Sequence, residues 1–210
     1  MKTKIDPTLV RQLEDVSFPT LGHFLEDGFA SYKIRALVPG SKLVGRALTL
    51  RLAAPDAIAV NQAIARLTDG DVLVVEAGND HAHACIGAVT GTAILCAGAK
   101  GVVVDGVVTD LVELRAMGLP VFARGTTALT TKRLGAPDSE IGQPVVCGGV
   151  TVNPGDLVLA DDNGVVFLAP QVAADVIEAA LASDRAEPAM LDRLRSGEHA
   201  SKVLVLALDI

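Results

Sequence analysis

The sequence predicts an α/β protein, and three observations carry that reading. Apolar runs of strand length recur along the chain, DVLVVE at Asp71–Glu76 and GVVV at Gly101–Val104 being the clearest. Between them lie stretches with apolar or small residues at helical spacing, and 20 glycines and 10 prolines mark frequent turns between short elements. Half of the 210 residues are hydrophobic, yet only 3% are aromatic and there is no Trp, so Val, Leu, Ile and Ala must build the core. A chain of this length buries one sizeable core. With no internal repeat, low-complexity linker or sharp shift in composition, a single domain over residues 1–210 is expected.

The elements follow in order. Thr8–Val16 places Val10, Leu13 and Val16 at helical spacing, and Pro19 starts a short second helix through Leu21, Phe24 and Leu25, which gives an N-terminal helical segment over about 8–27. Pro39-Gly40 ends that region. Leu43–Leu52 alternates as a strand, Asp56–Leu67 is a helix opening after Pro55, and Asp71–Glu76 is a buried strand. The run ACIGAVTGTAILCAG is a small-residue helix whose Gly and Ala positions allow close approach of another backbone. From Gly101 to Gly125 the pattern is a strand over Gly101–Val104, a Gly-containing turn, a helix and a second strand. Residues 144–169 offer three short strands, PVVCGGVTV, LVLAD and VVFLA, turned by Pro154-Gly155-Asp156 and Asp162-Asn163-Gly164. A helix from Pro170 to about Arg195 and an apolar tail ending KVLVLALDI complete a C-terminal unit over about 170–210. Such an apolar tail is expected to pack on the body or on a neighbouring subunit.

Charge and motifs narrow the function. The net charge is −7, from 18 basic and 25 acidic residues with no dense Lys/Arg block, which argues against nucleic-acid binding. No stretch approaches the ~20 apolar residues of a membrane span, and Met1–Phe18 carries charges throughout in place of the apolar core of a signal peptide. Cys85, Cys96 and Cys147 are odd in number and spaced like neither a zinc site nor a disulfide framework, so buried reduced thiols and a cytoplasmic location are expected. Dinucleotide, P-loop, HExxH and nucleophile-elbow motifs are absent. Cys147, before Gly148-Gly149, reads as a buried strand-end thiol rather than a nucleophile.

The best candidate site lies where the run from Gly101 stops. Asp105 and Asp110 sit at the end of a strand, and carboxylates at the carboxyl ends of strands in an α/β sheet face ligand crevices. Asp110 also suits the cap of the helix that follows. Just before the small-residue helix, Asp80, His81 and His83 offer a second group: alternate positions in an extended stretch project to one side, and a His pair with an Asp suits a transition metal or proton transfer. A solvated polar loop is the competing account. Asp156, Asp161 and Asp162 sit in turn sequences, where local backbone hydrogen bonding explains them. Thr126, Thr127, Thr130 and Thr131 read as a plain loop or as the lining of a pocket.

The segments GVVVDGVVTDLVELRAMGLPVFARG, CGGVTVNPGDLVLADDNGVVFLAP and KLVGRALTLRL together resemble the family containing the regulator of ribonuclease activity A and the class II 4-hydroxy-4-methyl-2-oxoglutarate aldolases, from about Thr20 to Glu198. That resemblance implies a swivelling β/β/α domain of the ribonuclease-regulator-like type, assembled as a homotrimer or hexamer with active sites at subunit interfaces. It implies an acid directly after a Gly, a gap of twenty residues, and an Arg-Asp pair whose Asp holds a divalent metal (Mg²⁺ or Mn²⁺) and whose Arg grips a pyruvate carboxylate. Backbone amides at the small-residue helix help hold the substrate.

Carried onto this chain, those positions are Gly87, Ala88, Thr109 and Asp110, with Val89 and Thr90 following at the helix start. Asp110 is thus the candidate catalytic residue and metal ligand. Gly87, Ala88, Val89, Thr90 and Thr109 are the candidate substrate-binding residues, and Glu187 in the last long helix is a candidate metal ligand from across an interface or a solvent-facing carboxylate. Ala88 stands where the acid belongs and Thr109 where the Arg belongs, while His23 replaces an Asp of the early helix. Asp80, His81 and His83, or Arg115 and Arg124, are the candidates to compensate. Two readings stay open: a divergent carbon–carbon lyase, aldolase or 2-oxo-acid decarboxylase in type, acting on a small carboxylated 2-oxo substrate; and a non-catalytic ring-shaped binding or regulatory protein.

Overall fold

Alternate residues of the buried runs go to opposite faces of a sheet, and here the two faces meet different partners. The structure, a computed structural model, describes residues 5–78, 80–135 and 137–204. Helices α1 (Pro7–Asp15) and α2 (Phe18–Leu21) lead to strands β1 (Arg35–Ala36) and β2 (Leu43–Arg51), then α3 (Ala57–Ile64), β3 (Asp71–Glu76), α4 (Ala88–Cys96), β4 (Gly101–Val108), α5 (Leu111–Ala116) and β5 (Val121–Thr126). The rest is β6 (Glu140–Ile141), β7 (Val145–Cys147), β8 (Val150–Val152), β9 (Leu157–Asp161), β10 (Gly164–Leu168), α6 (Pro170–Arg195) and α7 (Ala200–Val203).

The main sheet runs β1-β5-β4-β3-β2-β9-β10, with β2 to β5 parallel and β9 antiparallel to both β2 and β10. Leu43–Arg46 of β2 pairs with β9, while Leu50 and Arg51 pair with β6 along the same edge. The segment before β1 then reaches the opposite rim. Phe29 bridges Val166, the Ala30 amide donates to Val165 O (2.9 Å) and the Phe167 amide to Gly28 O (2.8 Å), so the sheet curls into a nearly closed barrel. The β7–β8 hairpin contributes Val145, Cys147 and Val152 to a buried cluster with Val72, Val74, Val103, Phe122 and Phe167. The alternate residues Leu73, Val75, Val102 and Val104 pack with Val60, Ile94 and Leu114 of α3, α4 and α5. Leu157, Leu159 and Leu168 pack with Leu13, Leu21 and Ile177 of α1, α2 and α6. Each such side chain contributes about 1.5–3 kcal/mol on burial.

The α/β class holds, and several expectations are corrected. The first strand from Gly101 continues to Val108: Asp105-Gly106 is a bulge between Val104 and Val107, not a turn, because the β5 pairing resumes at Val107. The small-residue helix starts at Ala88, since Ala84 is held extended between Val107 and Thr130. PVVCGGVTV is two strands about Gly148-Gly149. The second helix ends at Leu21, and Phe24 lies beyond it, 40% exposed. Asp162 accepts from the distant Gly40 amide with both oxygens (3.1 and 3.0 Å), whereas Asp156 and Asp161 do accept locally, from the Asn153 and Asn163 amides. Cys96 is exposed, while Cys85 and Cys147 are buried. The apolar tail beyond Leu204 lies outside the described residues. No helix among the described residues is long and apolar enough to cross a membrane.

Candidate functional site

Three loops leave the carboxyl ends of β3, β4 and β5, and backbone bonds tie them together. The Ala84 amide donates to Leu129 O (2.8 Å), Thr131 donates to Ala84 O (3.1 Å), and Thr109 donates to Ile86 O (2.9 Å). This sets the start of α4 against Thr109-Asp110 and against Thr130-Thr131, around a cleft of about 180 Å³. Gly87, Ala88, Val89, Thr90, Thr109 and Asp110 all line it, so the structure gathers the candidate catalytic and substrate-binding residues in one place. Ala57 and Val60 of α3, Ala84, Cys85, Ile86, Thr130 and Thr131 complete the wall. Of the two readings open for Thr130 and Thr131, a plain loop or the lining of a pocket, the second is the one that holds; the α3 pair carries no sequence signal of a site.

Asp110 has φ +53°, the one left-handed non-glycine among the described residues, in a region Asp tolerates better than most side chains. Its backbone opens α5, and Leu114 N donates to its carbonyl (2.9 Å). Its carboxylate makes no cap bond to α5. Instead Oδ2 accepts from the Ala88 amide at the start of α4 (2.8 Å), and the Thr109 hydroxyl donates to Oδ1 (3.2 Å). Asp110 therefore caps a neighbouring helix, where a negative charge is favoured. Thr90 Oγ1 accepts from the Gly87 amide (2.8 Å) and donates to Gly87 O (3.1 Å). The amides of Val89 and Thr90 have no protein acceptor among the described residues. A Cβ on Gly87 would lie 2.6 Å from Asp110 Oδ2 and 2.8 Å from Thr109 Cγ2. Any side chain there would push Asp110 off the helix it caps. Gly91 plays the packing role expected of the helix, with Leu114 Cδ2 where its Cβ would be (2.7 Å).

The other candidates lie elsewhere. Asp105, which the strand-end argument placed at a crevice, is bound up: Arg124 Nε pairs with Oδ1 and the Gly148 amide donates to Oδ2 (2.8 Å). Its task is to hold the β7–β8 hairpin. Arg115 Nε donates to Leu37 O (2.9 Å). Neither Arg115 nor Arg124 lines the Asp110 cleft, and among the described residues no other cation does, so none of them refills the place of the missing Arg.

His81 and His83 do not act as a pair. His83 Nδ1 meets Asp80 Oδ2 (2.8 Å), while His81 lines a different cleft. Burial works against ionisation of Asp80, but the Ala82 and His83 amides and the His83 ring together hold its carboxyl below the ordinary value. Glu187 is exposed on α6, which packs on α1, α2 and β10 rather than on α4 or α5. Burial pushes the Cys85 thiol up to about 12. Burial, reinforced by the Asp105 carboxylate, raises Cys147 as well. Neither thiol is an activated nucleophile.

One carboxylate, Asp110, faces the cleft, and among the described residues no group of three His, Cys, Asp or Glu converges on a metal position. A hydrated Mg²⁺ bound through one carboxylate, waters and a ligand is compatible with that set, since Asp110 Oδ1 receives only the 3.2 Å bond from a rotatable hydroxyl.

Comparison with known proteins places these residues in context. A family model described as RraA-like, Aldolase/RraA, matches residues 14–167. A protein of Halalkalibacterium halodurans named "Putative 4-hydroxy-4-methyl-2-oxoglutarate aldolase" is 36% identical over 64% of this chain, and the match spans 63% of that protein. A protein of the same name from Albidiferax ferrireducens is 39% identical over 48% of this chain and 57% of its own length. The chain thus spans less than two thirds of the length of these relatives. Among solved structures, an uncharacterized protein of Pseudomonas syringae pv. tomato superimposes with a TM-score of 0.85 at 27% identity, covering 97% of this chain and 95% of its own. Streptomyces coelicolor RraAS2, described as an unusual member of the RNase ES inhibitor RraA protein family, gives a TM-score of 0.75 at 31% identity over 91% of this chain and all of its own.

Proposed function

The chain belongs to the RraA-like Aldolase/RraA family, and we propose that its Asp110 cleft binds a small carboxylated 2-oxo compound and supports cleavage of a carbon–carbon bond, in the manner of an aldolase or a 2-oxo-acid decarboxylase. The observation that carries this reading is Asp110 locked to the Ala88 amide beside two amides, Val89 and Thr90, that lack protein acceptors among the described residues. Free amides at a helix start are a ready seat for a carboxylate. With the carboxylate held there, the 2-oxo group lies toward Asp110 and Thr109, and the Thr109 hydroxyl is a donor in reach of it. Thr109 lacks the bidentate grip of Arg, so substrate binding is weak.

A divalent cation, Mg²⁺ or Mn²⁺, belongs to this proposal with Asp110 as its ligand on this chain; when bound, it polarises the 2-oxo carbonyl and offsets the charge that develops on its oxygen. Glu187 joins only from another copy. We assign the assembly as a homotrimer or a dimer of trimers: Val89 in the cleft wall is 84% exposed and Val112, two residues beyond Asp110, is 76% exposed, an apolar rim that a second subunit would cover. Light scattering showing only a 21.6 kDa species at micromolar concentration removes this assembly. Free cysteines accord with a cytoplasmic location.

The test is pyruvate release from a panel of 2-oxo acids, oxaloacetate included, with Mg²⁺ or Mn²⁺ and with a chelator. Slow, cation-dependent release that Asp110→Ala removes supports the lyase. A panel with no turnover favours a second reading, a non-catalytic ring-shaped binding or regulatory protein. The specific observation behind that alternative is the pair Ala88 and Thr109, which leaves the cleft with one charged side chain.

A further inference from the structure

A second cleft, of about 530 Å³, is lined by Tyr32, Lys33, Arg35, His81, Val107 and Arg124 and shares no residue with the Asp110 cleft. Its charge runs against that of the molecule. The chain carries −7 overall, yet this wall holds three cations and a histidine and, among the described residues, no carboxylate. Arg124 is partly neutralised through its Nε by Asp105, but its terminal nitrogens have no protein acceptor among the described residues. Lys33 and Arg35 make no ion pair or side-chain hydrogen bond with any described residue. Two uncompensated positive charges therefore face one cavity, beside a tyrosine that is 82% exposed. Like charges gathered without a counter-charge repel, and folding alone gives no reason to collect them.

We propose that this cleft is a binding site for a small organic dianion, one carrying a phosphate or a pair of carboxylates. The volume lies in the range of small-molecule sites. Arg35 and the free end of Arg124 are planar donors suited to a doubly charged oxyanion, Lys33 adds a point charge, and Tyr32 offers a hydroxyl and a face for an organic body. Val107 and the Asp110 position share the end of β4, but the site stands whether or not the Asp110 cleft is catalytic.

Calorimetric titration of the intact protein at fixed ionic strength, with inorganic phosphate in one arm, malonate in a second and acetate in a third, tests this. Saturable binding of phosphate or malonate, with acetate at least tenfold weaker, is expected; the stronger of the two arms identifies a phosphoryl or a dicarboxylate ligand. Lys33→Gln with Arg35→Gln should weaken the dianion at least tenfold, and Asp110→Ala should leave it unchanged. Phosphate should also slow acetylation of Lys33 in the unaltered protein, read by mass spectrometry, without protecting Lys132, so the result does not depend on the double variant folding. No saturable dianion binding, binding unaffected by the double substitution, loss on Asp110→Ala, or absence of Lys33 protection overturns the proposal.

Discussion

Asp105 and Asp110 stand five residues apart at one end of β4, and they differ in what the topology brings to them. Asp105 sits within the strand beside a bulge, and the barrel delivers both a cation, Arg124 of β5, and an amide, Gly148 of the β7–β8 hairpin. Asp110 sits two residues past the strand, and what meets it is the first amide of α4 and the hydroxyl of Thr109. The first carboxylate has its charge matched inside the fold. The second keeps its charge at a cleft. An acidic residue at a strand end is thus a cleft-facing group or a strut according to whether the fold supplies a cation.

The largest effect expected follows from that contrast. Removing one partner of a mostly buried ion pair leaves the other uncompensated, and the Asp105 and Arg124 side chains are only 14% and 23% exposed. Asp105→Ala should cost about 3 kcal/mol of stability and loosen the β7–β8 hairpin. Denaturant unfolding followed by circular dichroism checks this, since the chain has no Trp. A loss equal to that of Asp110→Ala would erase the distinction.

Asp110→Ala should show the opposite profile. Its bonds are one cap and one long hydroxyl contact, so stability should fall by about 1 kcal/mol, with no offset from the left-handed backbone, which Ala tolerates less well than Asp and only glycine relieves. Any metal-dependent lyase activity should fall by about a hundredfold or more, equivalent to about 2.7 kcal/mol. Calorimetry should show Mg²⁺ or Mn²⁺ binding weakly to the parent and not to the variant; equal binding by both would move the metal away from Asp110.

A third effect sharpens what the cleft lacks. Ala88→Asp with Thr109→Arg restores the two side chains that the family resemblance implies at those positions, an acid to orient metal-bound water and a cation for the carboxylate. Pyruvate release from oxaloacetate or an aldol substrate should rise about tenfold in the double variant, with little change from either substitution alone, because the two groups act on one transition state. A folded double variant with no gain would place the divergence beyond these positions and favour the binding-protein reading.

The sequence made the parallel strands, α3, α4, α5 and the long α6 legible because their apolar periodicity extends over several residues. It made Asp110 legible as a strand-end carboxylate, and the family resemblance implied Gly87 and Thr109 beside it. The remainder depended on long-range closure. The two-residue strands β1 and β6 are too short to carry a period, and Asp105-Gly106 has turn chemistry that the β5 pairing overrides. Thr130 and Thr131 join the cleft only because Ala84 bridges the loop to β4. Lys33, Arg35, His81 and Arg124 are scattered through the chain and meet only when the barrel curls.

The smallest effect separates the two regions by their thiols and is invisible at neutral pH. Cys85 lines the Asp110 cleft, and Cys147 lies buried beside Asp105. Burial raises both, Cys85 to about 12 from an ordinary value of 9.0. The native protein therefore keeps a proton that the unfolded chain releases. The stability this contributes is fully present below about pH 9 and is lost as pH rises toward the native value, at about 1.4 kcal/mol per pH unit for each thiol. Cys85→Ala should flatten that alkaline decline by about 1.4 kcal/mol at pH 10, beyond its constant packing cost, as should Cys147→Ala separately. In the native protein a thiol reagent at pH 8 should modify only the exposed Cys96. Rapid modification of Cys85 as well would mean that the cleft opens to solvent far more than the barrel interior around Cys147, and the contrast between the Asp105 and Asp110 regions would then be one of dynamics as well as charge.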